Sequence, residues 1–461
     1  MNYKKNFKFY IALWVAKISG FLLKILNRNG TYFPGKIAIK ICPDFLGRLD
    51  KPKTIIGVTG TNGKTTVCNM INDILEQNGF DFINNKYGSN IDGGIATTLI
   101  SGSSFLGKAK KELAVLEIDE RSANKVYPYV TPTYLVCTNL FRDSLMRNAH
   151  TEFISDILNK YIPKETVMIE NADDIICSHI AEGNKKIYFS IDKLPTDSDK
   201  CENITRDIRT CLKCNSKLEY EYVRYHHIGK AHCPNCDFKT PEAQYRLTNL
   251  DLKNRKMTVF ANGIEETYDL VSDNIINIYN MMAVIIILKQ LGLTQYKINE
   301  SFKKLKIVET RYSEEQYKDY KIVTQLAKGM NPIACSLAFE YTRKQPGSKA
   351  AIVILDDLHE EAKGSENIAW QYDTDYEFLN DETIKQVIVA GPRYLDTYIR
   401  CKIANIPNNK LIHKLDLLEA TDELKLDGID SIFILHDLYS IEETKQIKQR
   451  VKEIIDGKFE K

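Results

Sequence analysis

The sequence has little net charge, no framework of paired cysteines and no uninterrupted apolar run of membrane length. Lys and Arg number 63 against 61 Asp and Glu, a formal charge of +2. That balance removes the electrostatic case for a nucleic-acid or acidic-membrane protein and leaves small or overall neutral ligands. The eleven cysteines are odd in number, and Cys68, Cys137, Cys177, Cys335 and Cys401 stand singly in apolar stretches. Such usage suits a reducing compartment, and the protein reads as cytoplasmic. The apolar run Phe7 to Leu26 is interrupted by Lys17 and Lys24 and is followed by no small-residue cleavage site, so it reads as neither a span nor a signal peptide. It is expected to be an amphipathic helix packed on the body of the protein. The competing expectation is a helix lying on the inner membrane face, which basic residues with Trp14, Phe21 and Leu22 would allow.

What is present is organised around Gly57-Val58-Thr59-Gly60-Thr61-Asn62-Gly63-Lys64-Thr65-Thr66. The apolar run Thr54 to Val58 reads as a buried strand and Val67 to Gln77 as the helix leaving it. Glycines between a strand and a helix let backbone N–H groups approach an anion at the helix N-terminus. Lys64 adds a mobile positive charge for the outer phosphates, and the Thr65 hydroxyl is placed to ligate Mg2+. The general phosphate loop has a glycine five residues before Gly63, where this chain has Val58, so the loop is a shortened variant.

The 461 residues are expected to form about three domains, with a helical segment at 1–50, a nucleotide-binding domain at 51–305 and a second α/β domain at 306–461. Asn84 to Gly94 is rich in Gly and Asn and reads as a loop, with a helix from Ile95 to Leu99 after it. Ala114 to Glu120 is a short buried strand ending in acids, and Glu117 is the candidate Mg2+ ligand. Thr133 to Thr138 and Thr166 to Ile169 add two strands, and strands alternating with helices indicate a mostly parallel, doubly wound α/β sheet. In the last domain the strand candidates are Lys321 to Gln325, Ala351 to Leu355, Gln386 to Ala390 and Ser431 to Leu435, without a second phosphate loop. The acid-rich stretch Asp356 to Glu361 between them reads as a solvated face.

Between these domains Cys211-x-x-Cys214 and Cys233-x-x-Cys236 form two knuckle pairs. Four thiolates at this spacing are the signature of a structural zinc ribbon, inserted at about 205–242, and a closed site of this kind leaves no position for a substrate. His226, His227 and His232 are nearby, but four cysteines already satisfy Zn2+.

Gly60 to Thr66, Glu117, Asn171-Ala172-Asp173-Asp174 and Asn277-Ile278-Tyr279-Asn280 stand in the order and spacing of the Mur ligase family, ATP-dependent amide-bond ligases of peptidoglycan synthesis. The ribbon, Gly30 to Lys36, Phe141-Arg142-Asp143 and Trp370-Gln371-Tyr372-Asp373 narrow the resemblance to the MurT-type subunits of lipid II isoglutaminyl synthase. The chain departs from the family pattern at Asp143-Ser144, at Thr310-Arg311-Tyr312-Ser313 and at Lys328-Gly329-Met330-Asn331-Pro332. The resemblance implies a central phosphate-loop domain carrying the ribbon, followed by a Rossmann-like C-terminal domain. It implies ATP-dependent amidation of the α-carboxylate of D-isoglutamate in the lipid II stem peptide. Gly60, Thr61, Asn62, Gly63, Lys64, Thr65 and Thr66 would hold the phosphates, Thr65 and Glu117 the Mg2+, Asn280 the adenine, and Arg311 would reach the nucleotide from the second domain.

The ammonia source can be argued from the residues. A glutaminase needs a nucleophilic cysteine on a strained turn with a histidine partner, and none is visible, since Cys335 and Cys401 lack flanking glycines. Glutamine hydrolysis therefore belongs to another polypeptide, unless free ammonia is used, and the resemblance implies a GatD-type glutaminase. Asp373, an acid behind a tryptophan and a tyrosine on a docking surface, would orient that partner's histidine in trans. Two rival readings are a stand-alone ligase joining an amino acid to a small acid, as folylpolyglutamate synthase does, and a nucleotide-switched ribbon protein binding nucleic acid. The ribbon and the Trp370–Asp373 segment speak against the first, and the near-zero charge against the second.

Overall fold

The computed structural model describes residues 3–142, 150–305, 312–327, 329–355, 368–437 and 440–459. The chain divides into two compact units. The first comprises Met1–Phe141, His150–Cys201 and Asp207–Leu305, and the second Arg142–Ala149, Glu202–Arg206 and Lys306–Lys461.

The first unit is built on a nine-stranded sheet. Its strands are β1 (Thr54–Thr59), β2 (Phe82–Asn84), β3 (Leu113–Glu117), β4 (Tyr134–Cys137), β5 (Val167–Asn171) and β6 (Lys186–Ile191), followed after the ribbon hairpin of β7 (Glu219–Tyr225) and β8 (Ile228–His232) by β9 (Tyr245–Asp251), β10 (Lys256–Ala261) and β11 (Ile264–Asp269). The order is β11-β10-β9-β6-β5-β4-β1-β3-β2, parallel from β2 to β9 and antiparallel in the last hairpins. The chain leaves β1 through the helix Lys64–Gln77 toward the β2 edge, returns through β3, and then proceeds to the other side through β4 and β5. Connections thus leave the neighbours β1 and β4 in opposite directions, and the crevice at their C-terminal ends is where such sheets bind ligands. Ile55, Ile56, Val58, Leu135 and Val136 are buried, which is why these strands read as continuous apolar runs.

Two helices near the start of the chain, Phe7–Ile25 and Phe33–Ile41, pack on this unit. The first buries Phe9, Ala12, Leu13 and Ala16, and each of the two large side chains contributes about 1.5–3 kcal/mol by leaving water. The stretch expected to be a loop up to Gly94 is shorter than that, because β2 occupies its start and a helix runs over Asp92–Ser101. Gly93 and Gly94 are helical here for reasons of space. A Cβ on Gly94 would lie 1.9 Å from the Ser89 carbonyl oxygen, and one on Gly35 of the neighbouring helix 2.0 Å from that of Gly93.

The second unit holds a six-stranded sheet in the order β12-β13-β17-β14-β15-β16. Its strands are β12 (Tyr312–Tyr317), β13 (Tyr320–Leu326), β14 (Lys349–Ile354), β15 (Ile384–Ala390), β16 (Leu411–Lys414) and β17 (Ser431–His436). All pairings are parallel except the β12/β13 hairpin. The four apolar strands expected from sequence are the central ones. The two that were not foreseen are edge strands, alternating and half-exposed in β12 and only four residues long in β16. The acid-rich stretch Asp356 to Glu361 lies outside the described residues.

Candidate active site

The end of β1 turns through two left-handed glycines, Gly60 at φ +120° and Gly63 at φ +91°, and Gly63 caps the helix Lys64–Gln77 without any side-chain hydrogen bond. Neither glycine could carry a side chain. A Cβ on Gly60 would lie 2.4 Å from Thr138 Oγ1, and one on Gly63 2.4 Å from Asn280 Oδ1. Asn280 is therefore a buried amide packed behind the phosphate loop, on the helix Ile275–Gln290, whose N-cap is Asn274.

The loop is pinned from β4. The Thr61 N–H donates to the Asn139 carbonyl at 2.9 Å, the Asn62 N–H donates to Asn139 Oδ1 at 3.0 Å, and Asn139 Nδ2 donates to the Asn62 carbonyl at 2.9 Å. Thr138 Oγ1 donates to the same carbonyl at 2.7 Å, and the Phe141 N–H donates to Thr61 Oγ1 at 2.9 Å. Two amides expected to face a phosphate, those of Thr61 and Asn62, thus hold the loop in shape. The first-turn amides of any α-helix have no carbonyl earlier in the helix to bond, which is the general reason such an end suits an anion. Thr65 and Thr66 stand half-exposed in that turn.

Lys64 Nζ sits 3.0 Å from Glu120 Oε2, donates to the Thr61 carbonyl at 3.3 Å and also to that of Gly60. Its side chain is 12% exposed and that of Glu120 4%, so the pair is almost dry. Burial alone would discharge the ammonium. Glu120, with Asp119 and Glu117 behind it, reverses that and holds Lys64 above its ordinary value, so it stays charged. Glu117 is the last residue of β3, in register with Val58 of β1, and its Oε1 accepts from Asn90 Nδ2 at 3.0 Å. Asn85 holds its backbone on both sides, accepting from the Glu117 N–H at 2.8 Å and donating to its carbonyl at 2.9 Å.

Structure therefore gathers Gly60 to Thr66, Glu117 and Asn280 at one sheet end. Sequence reasoning passed over three residues there, Glu120, Thr138 and Asn139. Their signal is position beside the β1/β4 crevice, which is visible only once the strand order is known.

Cys211, Cys214, Cys233 and Cys236 bring their Sγ atoms within 4.8 Å of one another, with Cys211–Cys236 and Cys214–Cys233 at 3.4 Å. A tetrahedron with Zn–S bonds of ~2.3 Å has edges of ~3.8 Å, so the set fits a metal ion. Both knuckles turn amides toward sulfur, Lys213 N–H to Cys211 Sγ at 3.3 Å and Asn235 N–H to Cys233 Sγ at 3.4 Å. Hydrogen bonds with Ser216 hold the Cys214 thiol below its ordinary value, while burial and the neighbouring sulfurs push Cys236 up, so Cys214 ionises before Cys236. The ribbon is anchored to the end of β5. Arg224 Nη1 lies 3.0 Å from Asp173, and His227 Nε2 3.1 Å from Asp174, all four side chains nearly or fully buried. His227 thus serves the anchor and not the cysteine cluster.

In the second unit Asp373 ends the short helix Ala369–Asp373, is 35% exposed at its side chain and lies 3.4 Å from Arg142 Nη1. Its carbonyl accepts from Thr205 Oγ1 at 2.9 Å, while Asp375 takes the Ile204 N–H at 2.6 Å and Asn203 Nδ2 at 2.9 Å. The expectation that Trp370 lies on a docking surface is corrected, since it is 3% exposed in the core of this unit and only Tyr372, at 48%, is presented to solvent. Arg311, Asp143, Ser144, Thr310 and Lys328 lie outside the described residues.

A glycine-turned strand end, a charged lysine among carboxylates and an uncapped helix N-terminus at a topological switch point define a phosphate-loop nucleotide-binding α/β protein. Two family patterns match, that of the Mur ligase middle domain at residues 58–288 and that of the MurT ligase C-terminal domain at residues 326–440. Similar curated proteins are the lipid II isoglutaminyl synthase (glutamine-hydrolyzing) subunits MurT of Streptococcus pneumoniae, 30% identical over 93% of this chain and 94% of theirs, and of Staphylococcus aureus, 29% identical over 89% and 91%. Among solved structures, a pseudomurein peptide ligase type C from Methanothermus fervidus shares the fold at TM-score 0.64 and 22% identity, covering 89% of this chain and 81% of that one. MurF ligase from Thermotoga maritima, solved in complex with ADP, does so at TM-score 0.56 and 16% identity, covering 92% and 85%.

The chain belongs to the Mur ligase family, and within it to the MurT subunits, which makes it an ATP-dependent ligase. Among the described residues no helix is long and apolar enough to cross a membrane.

Proposed function

We propose that this chain is the ligase subunit that converts the α-carboxylate of D-isoglutamate in the lipid II stem peptide to the amide of D-isoglutamine, with ATP and with ammonia from a GatD-type glutaminase. One observation carries the reading. A charged, nearly dry Lys64 beside a helix N-terminus without a side-chain cap belongs to a chain that aligns over 93% of its length with a subunit of that name. The substrate is lipid-linked, which puts the enzyme at the cytoplasmic membrane face.

The carboxylate oxygen attacks the γ-phosphorus of ATP, forming an acyl phosphate as ADP leaves. Ammonia then attacks the acyl carbon, the carbon–oxygen bond to phosphate breaks, and the nitrogen loses a proton. A carboxylate is a poor electrophile, so activation must come first. Lys64 and the first-turn amides stabilise the charge that spreads over the transferring phosphoryl oxygens. Thr65 and Glu117 would hold Mg2+, which neutralises phosphate charge when bound. The four cysteines would hold Zn2+, which closes the ribbon without entering the chemistry. Asp373 would orient the histidine of the partner's Cys-His pair, and its exposure leaves it reachable.

Phosphate release by the purified protein with lipid II and ATP is the test. Release with ammonium salts alone, and with glutamine only when the glutaminase is added, is the expected pattern. Release driven instead by a free amino acid would favour the stand-alone ligase.

A further inference from the structure

The helix Phe7–Ile25 is apolar on two opposite faces. Phe9, Ala12, Leu13 and Ala16 are buried in the unit, while Trp14, Ile18, Phe21, Leu22 and Ile25 are 45%, 59%, 63%, 52% and 61% exposed. At about 100° per residue these five, with Phe7, fall in one stripe opposite the buried face. A helix apolar all round needs cover on both sides, and the protein supplies it on one. The stripe continues into Phe105 and Leu106, 70% and 58% exposed, because Trp14 Nε1 donates to the Phe105 carbonyl at 2.9 Å. Lys17 fixes the helix by donating to the carbonyls of Ile100 and Ser103, both at 2.8 Å, so the stripe is held outward by the fold.

Charge identifies the occupant. Residues 1–43 contain seven lysines, one arginine and no acid, so they carry +8 while the rest of the chain carries −6. Lys5 is taken by Asp50 at 2.8 Å, but Lys8, Lys24, Arg28, Lys36 and Lys40 are exposed around the stripe. In a near-neutral protein this exposed apolar stripe thus lies in a segment whose charges are all basic, with Asp50, paired to Lys5, the acid beside its loop end. A tryptophan and phenylalanines in such a segment match the interface of an anionic bilayer, with acyl chains for the stripe and headgroup charge for the lysines. A second copy would bring like charge to like charge.

We infer that this helix and the Phe105–Leu106 loop dock the protein onto anionic lipid. The inference deepens the reading of a lipid-linked substrate and rests on it for purpose, though not for its evidence. The same helices adjoin the site, since Gly35 of the second helix abuts Gly93, and the loop before Gly93 supplies Asn90 to Glu117.

The test uses the full chain with vesicles of phosphatidylcholine alone or mixed with phosphatidylglycerol, followed by co-sedimentation and tryptophan emission. Trp14 is the reporter, because the other tryptophan, Trp370, is 3% exposed. Binding to the mixed vesicles, a blue shift, and release by salt are expected. The double variant Ile18→Ser/Phe21→Ser should weaken binding by roughly tenfold or more. Its thermal midpoint and its amidation in detergent should not change, because both side chains already face water. No binding of wild type to mixed vesicles, or equal binding by the variant, overturns the proposal. So does a wild-type dimer by light scattering that the variant converts to monomer, which would assign the stripe to a second copy. Vesicle binding without any amidation in detergent would instead strike the functional reading and leave the docking surface standing.

Discussion

In the first unit β1 runs through left-handed glycines into a helix whose N-terminus has no side-chain cap, while in the second β13 leads to the helix Pro332–Lys344, capped by Asn331, whose side chain accepts from the Ala334 N–H at 2.9 Å. Both are strand-to-helix turns in parallel sheets, and an uncapped helix end leaves donors that something else must satisfy. The difference shows why two similar folds are equipped differently. One helix end is closed by a side chain of its own chain, and the other has no side-chain cap, which suits the anion role proposed for it. Lys64→Ala should therefore lower turnover by about two orders of magnitude or more with either nitrogen source, because the charge it supplies acts in the transition state. Initial rates on folded protein decide it, and retention of a tenth of wild-type turnover would take Lys64 out of that role.

The ribbon sharpens the contrast from within the first unit, since its four thiols form a closed site where the phosphate loop is open. One Zn2+ per chain is expected on metal analysis. Cys211→Ser should lose it and lower the thermal midpoint by roughly 5 °C, with further loss because Arg224 and Asp173 depend on the ribbon's position. A disulfide at either pair, or freshly purified protein without metal, would contradict the assignment.

Asp373 tests whether the second unit acts through a partner. Asp373→Asn should cut glutamine-driven amidation by about tenfold or more while ammonia-driven amidation stays near wild type, since only the partner's histidine loses its orienting acid. Equal loss with both sources would place Asp373 in the ligase chemistry or the fold. In that event its contact with Arg142 becomes the explanation. No loss with either would leave a solvated acid.

The phosphate loop was legible because glycine, lysine and threonine at fixed spacing follow from the geometry of holding phosphate. The ribbon was legible because four thiolates at that spacing have few other uses. The central strands announced themselves as apolar runs, whereas β12 and β16 did not, since an edge strand needs only half a buried face. Gly93 and Gly94 misled because glycine marks close approach as well as turns, and only the neighbouring helix distinguishes them. Trp370 misled in the other direction, since it was placed with Tyr372 and Asp373 on a docking surface and its surroundings made it core. Glu120 and Asn139 were hidden because each matters through a partner distant in sequence, Lys64 and Asn62.

Asn139 offers the finest test of the contrast between the two helix ends. Its side chain makes two bonds to the loop, accepting the Asn62 N–H and donating to the Asn62 carbonyl, while its own carbonyl holds the Thr61 N–H whatever the side chain. Asn139→Ala removes the first two, each worth about 1 kcal/mol net, and leaves Thr138 on the Asn62 carbonyl. The loop should then spend more time out of shape, and kcat/KM for ATP should fall roughly fivefold to tenfold, mostly in KM, with the fold intact. Asn139→Asp keeps the acceptor but places negative charge near the phosphates, so it should bind ATP more weakly than the alanine variant. Asn331→Ala is the matched change at the closed helix end. It should cost about 1 kcal/mol of stability through the lost cap and leave the KM for ATP alone. Calorimetric ATP binding across the three variants separates the cases. If Asn139→Ala binds ATP as wild type does, Thr138 and the backbone bonds to Thr61 suffice to shape the loop, and the openness of this helix end depends on its glycines.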